Sequence, residues 1–74
     1  MVKKIKGTYD LANISKNLII LRNRNGLSKK QLSAILNVSL RTVYEWEGGF
    51  KYPKLNNLIQ IATLYQVSIE RILL

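Results

Sequence analysis

The feature that most constrains the fold is a very short connection between two predicted helices. A capping box beginning at Ser28 and the apolar spacing after it predict a helix over Lys29–Leu36. Asn37 can end that helix because asparagine tolerates the left-handed conformation. Ser39 is a good N-cap for another helix over Leu40–Glu47. Since only one residue separates Asn37 from Ser39, the two helices must turn sharply.

Helical periodicity predicts three further helices. The first spans Asn13–Asn25, capped by Asp10 or Asn13 and closed by Gly26, which is free to adopt a positive φ. The fourth runs from Leu55 to Tyr65 after the only proline, and a short fifth helix covers Ile69–Leu74. No β alternation of useful length is present. We expect an all-α domain of five helices at residues 13–74, preceded by a basic tail at residues 1–12.

Composition argues against catalysis. The chain has no cysteine and no histidine, which removes disulfides, thiolate metal sites and the commonest general base. The four carboxylates have no spacing that suggests hydrolytic or metal chemistry; they are Asp10, Glu45, Glu47 and Glu70. We therefore expect a non-enzyme with no cofactor, no metal and no small-molecule substrate.

Charge indicates the class of partner. Twelve Lys and Arg against four acids give a net charge of +8, and all the basic residues except Arg71 fall at or before Lys54. Such a surface attracts nucleic acid, an anionic membrane or an acidic protein, although it is also compatible with a merely soluble basic protein. No apolar run approaches the roughly 20 residues of a membrane span, and no secretory signal is present. We expect a cytoplasmic protein.

The central pair of helices meets the requirements of a helix-turn-helix. Such a motif needs a small residue where the helices approach, here Ser33, and a turn residue, here Asn37. Apolar residues must lock the crossing, and they are Leu32, Leu36, Val38, Val43 and Trp46. A generic helical hairpin can produce several of these features.

The segments LRNRNGLSKKQLSAILNVSLRTVYEWEGGFKYP and LNNLIQIATLYQVSIERIL resemble the phage Cro and repressor family, also called the XRE family. The resemblance runs from about Ile14 to Leu73. It implies a five-helix, lambda-repressor-like DNA-binding domain that places helix three in the major groove of an operator, usually as a two-fold dimer. Five positions depart from the family pattern: Lys29, Ser33, Asn37, Gly48 and Lys54. Of these, Gly48 predicts a looser loop and Lys54 a poor N-cap.

The resemblance implies that Leu40, Arg41 and Glu45 read bases. Arg41 is the strongest candidate because its guanidinium can bond guanine O6 and N7 together. Leu40 can meet a thymine methyl, and Glu45 can accept from cytosine N4. Alternatively, Glu45 holds Arg41 in place one helical turn away.

Candidate contacts to the DNA backbone surround this helix. They are Ser28, Lys29, Lys30, Thr42, Tyr44, Lys51 and Lys54. The first three stand at the start of helix two, where free N–H groups and the helix dipole suit a phosphate. Lys29 can also reach a base, and Tyr44 can instead be a partly buried aromatic beside the core. Each lysine can equally belong to a solvated face.

The family resemblance also implies a structural salt bridge between Arg22 and Glu47, with no role in DNA contact. The chain termini carry two further expectations. Lys3, Lys4 and Lys6 can form an arm along the DNA backbone or a tail without a defined role. At the other end, four residues are too apolar to be left bare in water, and they are Ile69, Ile72, Leu73 and Leu74. We expect some of them to pack on the core and the remainder to form a self-complementary patch for a homodimer. Such a dimer would set two recognition helices roughly 34 Å apart.

Two rival functions remain open. One is an antitoxin or other protein-interaction module that uses the same helices on another protein. The other is an RNA-binding protein, which would need stacking aromatics on an exposed sheet that this sequence does not predict. No effector pocket is expected.

Overall fold

A computed structural model describes residues 10–74, and these residues form five α-helices without a β-strand. The helices are α1 (Leu11–Arg24), α2 (Lys29–Leu36), α3 (Leu40–Glu47), α4 (Leu55–Tyr65) and α5 (Ile69–Leu73). None of the helices in this range is long and apolar enough to cross a membrane. The predicted tail, with Lys3, Lys4 and Lys6, lies almost entirely outside the described residues.

The start of α1 differs from the prediction. The side chain of Asp10 accepts a hydrogen bond from the Ala12 backbone N–H at 2.9 Å, so Asp10 is the N-cap and the helix begins at Leu11 rather than Asn13. The predicted boundary between residues 12 and 13 consequently falls inside the first turn of α1. At the other end, Gly26 adopts a φ of 66° as expected.

The caps of α2 and α3 follow the sequence signals. Ser28 and Gln31 form the reciprocal capping box, with both hydrogen bonds present. Asn37 adopts the left-handed conformation at φ 56°, and Ser39 accepts from the Thr42 N–H at 3.0 Å. The sharp turn between the helices therefore needs no glycine. Lys54, by contrast, provides no side-chain cap for α4.

The core draws on all five helices, because α1 packs against α3 and α5, α2 against α3 and α4, and α4 against α5. Its buried hydrophobic members are Ile14, Leu18, Leu21, Leu32, Leu36, Val43, Trp46, Leu58, Ile61, Ala62, Tyr65 and Ile72. The small side chain of Ser33 is buried where α2 meets this core, and its hydroxyl donates to the Lys30 carbonyl at 2.7 Å. The packing fixes which face of α3 remains outside.

Tyr65 introduces an unpaired polar group into this core. Its hydroxyl is buried and has no hydrogen-bond partner among the described residues. Desolvation by burial, reinforced by the Glu47 carboxylate and opposed by Arg22, raises the pKa of Tyr65 to about 12. The folded protein therefore holds the phenolic proton at pH values where the unfolded chain, with a pKa near 10, releases it.

We expect the folded state to lose stability as the pH rises from about 10 to about 12, because the unfolded state then binds fewer protons than the folded state. Tyr65→Phe should remove this contribution and leave stability at neutral pH unchanged or higher by about 1 kcal/mol, since an unpaired hydroxyl is lost. Melting curves of both proteins across this pH range test the prediction. Equal pH dependence in the two would contradict it.

Candidate nucleic-acid interface

The outer face of α3 is defined by what the helix buries. Val43 and Trp46 point into the core, and residues two positions away are rotated by about 200° around the helix. Arg41 and Glu45 flank Val43 at that separation, so both side chains leave the core together. The Arg41 side chain is 87% exposed, and Leu40 and Tyr44 are exposed beside it. The fold thus presents three of the sequence-predicted residues to a partner.

Glu45 lies on the same face, but its carboxylate is already in contact with two cations. Its side chain is only 21% exposed, and Oε2 stands 3.4 Å from Lys51 Nζ and 3.8 Å from Arg41 Nε. The contact with Arg41 is the one-turn pair that the sequence suggested. The contact with Lys51 comes from the loop after α3, and sequence reasoning did not find it.

The start of α2 supplies a second group of cations. Lys30 is exposed, and Lys29 Nζ lies 4.6 Å from the centre of the Tyr44 ring, a cation–π contact that ties α2 to α3. The first turn of α2 contains no acidic residue to offset its free N–H groups. This end of the helix is therefore electropositive and lies beside the outer face of α3.

Two predicted backbone contacts are already used locally. The Ser28 hydroxyl accepts from Gln31 N, and the hydroxyls of Thr42 and Ser39 share a hydrogen bond of 2.8 Å. Both groups stabilise helix N-termini, so a partner would reach them only through their remaining hydrogen-bonding capacity.

The loop after α3 is held by backbone hydrogen bonds. Gly48 N–H donates to the Tyr44 carbonyl at 2.8 Å, and Phe50 N–H donates to the Glu45 carbonyl at 2.9 Å. A Cβ on Gly48 would stand 2.9 Å from the Tyr44 carbonyl oxygen as well as 2.6 Å from the exposed Phe50 ring, so a larger residue would require the backbone here to shift. These contacts define one conformation of the loop, and its looseness stays a prediction. The loop leaves Lys51 and Lys54 exposed, together with Phe50 and Tyr52, which the sequence had not singled out.

Arg22 and Glu47 fix the end of α3 to α1. Arg22 Nε donates to Glu47 Oε2 at 2.8 Å and Nη2 donates to Oε1 at 3.0 Å, a bidentate pair. Arg22 Nη1 also donates to the Leu27 carbonyl at 2.8 Å. The side chains are 12% and 4% exposed, and the hydrogen bond from Arg22 to Glu47 raises the pKa of Arg22 against the opposing effect of burial. The pair therefore fixes the position of α3 and, with it, the outer face of this helix.

The apolar residues at the C-terminal end do not act as one patch. Ile72 is fully buried, so it is one of the residues that pack on the core, as expected for some of the four, and it is not available to a partner. Ile69 and Leu73 are partly buried, and Leu74 is exposed. The way in which α5 packs across α1 and α4 determines which of these residues are buried and which are exposed.

Comparison with known families gives one sequence match that covers most of the chain. The sequence model of a family described as helix-turn-helix matches residues 18–72. No curated protein matches the chain.

Solved structures that share the fold include a controller protein, a transcriptional regulator and an enzyme. The restriction-modification controller protein C.AhdI from Aeromonas hydrophila has a TM-score of 0.76 and 25% identity, over 85% of this chain and 96% of the controller. A transcriptional regulator from Listeria innocua has a TM-score of 0.77 and 33% identity, over 81% of this chain and 56% of the regulator. Hydroxypropylphosphonic acid epoxidase from S. wedmorenis has a TM-score of 0.77 and 23% identity, over 85% of this chain and 34% of the enzyme. The likeness to the epoxidase concerns the fold alone.

Proposed function

The chain belongs to the XRE-type helix-turn-helix family of DNA-binding regulators, and we propose that it is a cytoplasmic transcriptional repressor that reads an operator through the major groove. The observation that carries the proposal is the outer face of α3, where Arg41 projects into solvent beside the electropositive start of α2. We propose that the DNA-binding domain begins at Asp10, the cap of α1.

Three side chains on α3 would read bases. Arg41 would donate two hydrogen bonds to the O6 and N7 of a guanine, and Leu40 would pack on a thymine methyl. Glu45 would admit only bases that present an amino group, which are cytosine and adenine. Arg41 is the principal reader because it is the most exposed of the three and carries five donors.

The surrounding cations would fix the position of the domain on the duplex. Lys29 and Lys30 would bind phosphates together with the free N–H groups of α2, and Ser28 would add its hydroxyl. Tyr44 supports this arrangement because its ring already holds Lys29 in place. On the other side of α3, Lys51 and Lys54 would contact the backbone, and Thr42 would do so through its hydroxyl.

We propose that the repressor acts as a two-fold dimer on an inverted repeat. Leu74, with the exposed parts of Ile69 and Leu73, provides an apolar surface at the end of α5. Repression needs no further surface, because a dimer that occupies an operator excludes other proteins from it. The likeness to the epoxidase gives no reason to propose an enzyme, since the chain covers 34% of that protein.

Binding to duplex DNA should weaken steeply with salt. If each protomer of a dimer uses the four lysines at 29, 30, 51 and 54, the affinity should fall roughly 10³–10⁵-fold between 50 and 200 mM salt. Fluorescence anisotropy with labelled duplexes at several salt concentrations measures the slope. Failure to bind any duplex at low salt would contradict the proposal and favour the protein-interaction module.

A further inference from the structure

We propose that Glu45 sets sequence specificity chiefly by exclusion. Its carboxylate competes with the DNA for Arg41 and Lys51, and it keeps these cations from sequences that cannot offer it a hydrogen-bond donor. This inference rests on the proposed function, because it concerns the same DNA-reading face. It adds to the base contact proposed above a second role for the carboxylate, the rejection of sequences that present only acceptors.

The Glu45 carboxylate lies close to two cations. One carboxylate oxygen, Glu45 Oε2, lies within 4 Å of both cations, at 3.4 Å from Lys51 Nζ and 3.8 Å from Arg41 Nε. The two cations are 67% and 87% exposed, whereas Glu45 is 21% exposed. The anion thus lies between two exposed cations on the face proposed to meet DNA.

Backbone hydrogen bonds fix the loop after α3 next to Glu45. The Glu45 carbonyl accepts from the N–H groups of Phe50 and Lys51 at 2.9 and 3.3 Å, so the loop folds back over the end of α3. The positive φ of Gly49, 77°, permits that reversal. The backbone of Lys51 is therefore fixed next to the carboxylate that its side chain meets, and the contact does not depend on a free loop finding the helix.

Glu45 differs in position from the other three acidic residues of the chain. Of the four in the chain, Glu47 is buried against Arg22, Asp10 caps α1, and Glu70 lies on α5. Within residues 10–74, Glu45 is the only carboxylate on the outer face of α3. In a chain with a net charge of +8, a negative charge at this position weakens the general attraction to DNA.

The donors and acceptors on base edges decide which DNA sequences the Glu45 carboxylate repels. Phosphates, guanine O6 and N7, and thymine O4 present only acceptors, which a carboxylate repels. Cytosine N4 and adenine N6 present donors, which it accepts. When a donor stands opposite Glu45, the carboxylate is satisfied and Arg41 and Lys51 are released to the DNA. Opposite an acceptor, the carboxylate keeps its ion pairs with Arg41 and Lys51, and these cations are then not available to the DNA.

The test uses Glu45→Gln, which removes the charge at constant shape, and Glu70→Gln, which makes the same change in net charge on α5. Affinity is measured for the duplex that the wild type selects from a random pool and for random duplexes of equal length. We expect Glu45→Gln to bind random duplexes roughly tenfold more tightly and to lose at least that factor of discrimination. Glu70 lies between Ile69 and Leu73 of the proposed dimer surface, so sedimentation measures whether Glu70→Gln assembles as the wild type does. At equal assembly, Glu70→Gln should change both affinities by the same small factor.

A third variant separates charge from shape. Glu45→Asp keeps the charge but shortens the side chain, and we expect it to retain most of the discrimination that Glu45→Gln loses. Melting curves establish that each variant is folded. Equal effects of Glu45→Gln and Glu70→Gln on both duplexes, or loss of discrimination in Glu45→Asp to the extent seen in Glu45→Gln, would overturn the inference. A wild type that selects no sequence would instead refute the proposed function.

Discussion

Replacing Glu47 with alanine should lower the free energy of unfolding by about 3–5 kcal/mol, because it leaves the Arg22 guanidinium charged and largely buried without its partner. The carboxylate accepts two of the three hydrogen bonds that Arg22 donates, and the remaining one goes to the Leu27 carbonyl. A 74-residue domain has a total stability of roughly 4–11 kcal/mol. The variant should therefore be partly unfolded at 37 °C and should bind DNA poorly as a consequence.

Removing both charges together is the control for this prediction. The double variant Arg22→Met with Glu47→Leu should recover most of the lost stability, since an apolar pair of similar volume often replaces a buried ion pair at little cost. Urea unfolding of the wild type, the single variant and the double variant measures the difference. If the single variant loses less than about 1 kcal/mol, the value typical of an exposed pair, the pair does not brace α3 as argued.

Arg41→Ala should reduce affinity for the selected operator roughly 5- to 150-fold per half-site, the range expected when one bidentate contact to guanine is lost. The melting temperature should not change, because the side chain is 87% exposed and its only ion pair among the described residues, with Glu45, is long. Anisotropy titrations with the operator duplex and a circular dichroism melt measure the two quantities.

Two further variants show whether Arg41 reads a base or merely adds charge. Arg41→Lys keeps the charge but lacks the planar fork, so it should bind the operator nearly as poorly as Arg41→Ala. Lys16→Ala removes one positive charge from an exposed position on α1 and should change operator affinity only slightly. Wild-type affinity in Arg41→Lys would mean that Arg41 contributes charge alone.

Much of this structure could be predicted because its signals are local. The bounds of α2 and α3 follow from Ser28 and Ser39, whose side chains bond N–H groups three residues away. Asn37 ends α2 through a preference of its own backbone. The outward position of Arg41 needs only helical periodicity once Val43 and Trp46 are assigned to the core.

The features that sequence reasoning missed depend on tertiary arrangement. Gln66 adopts φ 55° although glutamine has no marked preference for it, because α4 must end where α5 turns back. The pairing of Lys51 with Glu45 requires the loop to fold back after Gly49, which no spacing rule within a helix describes. The burial of Ile72 depends on the direction in which α5 crosses α1.

Selection of binding sites from a pool of random duplexes tests the central claim most directly, since that claim is that the exposed face of α3 reads bases. The account predicts enrichment of an inverted repeat whose half-sites are centred about one helical turn apart, each with a guanine whose enrichment disappears when the selection is repeated with Arg41→Ala. A pool that remains random after repeated rounds, or a preferred sequence that Arg41→Ala leaves unchanged, would contradict it.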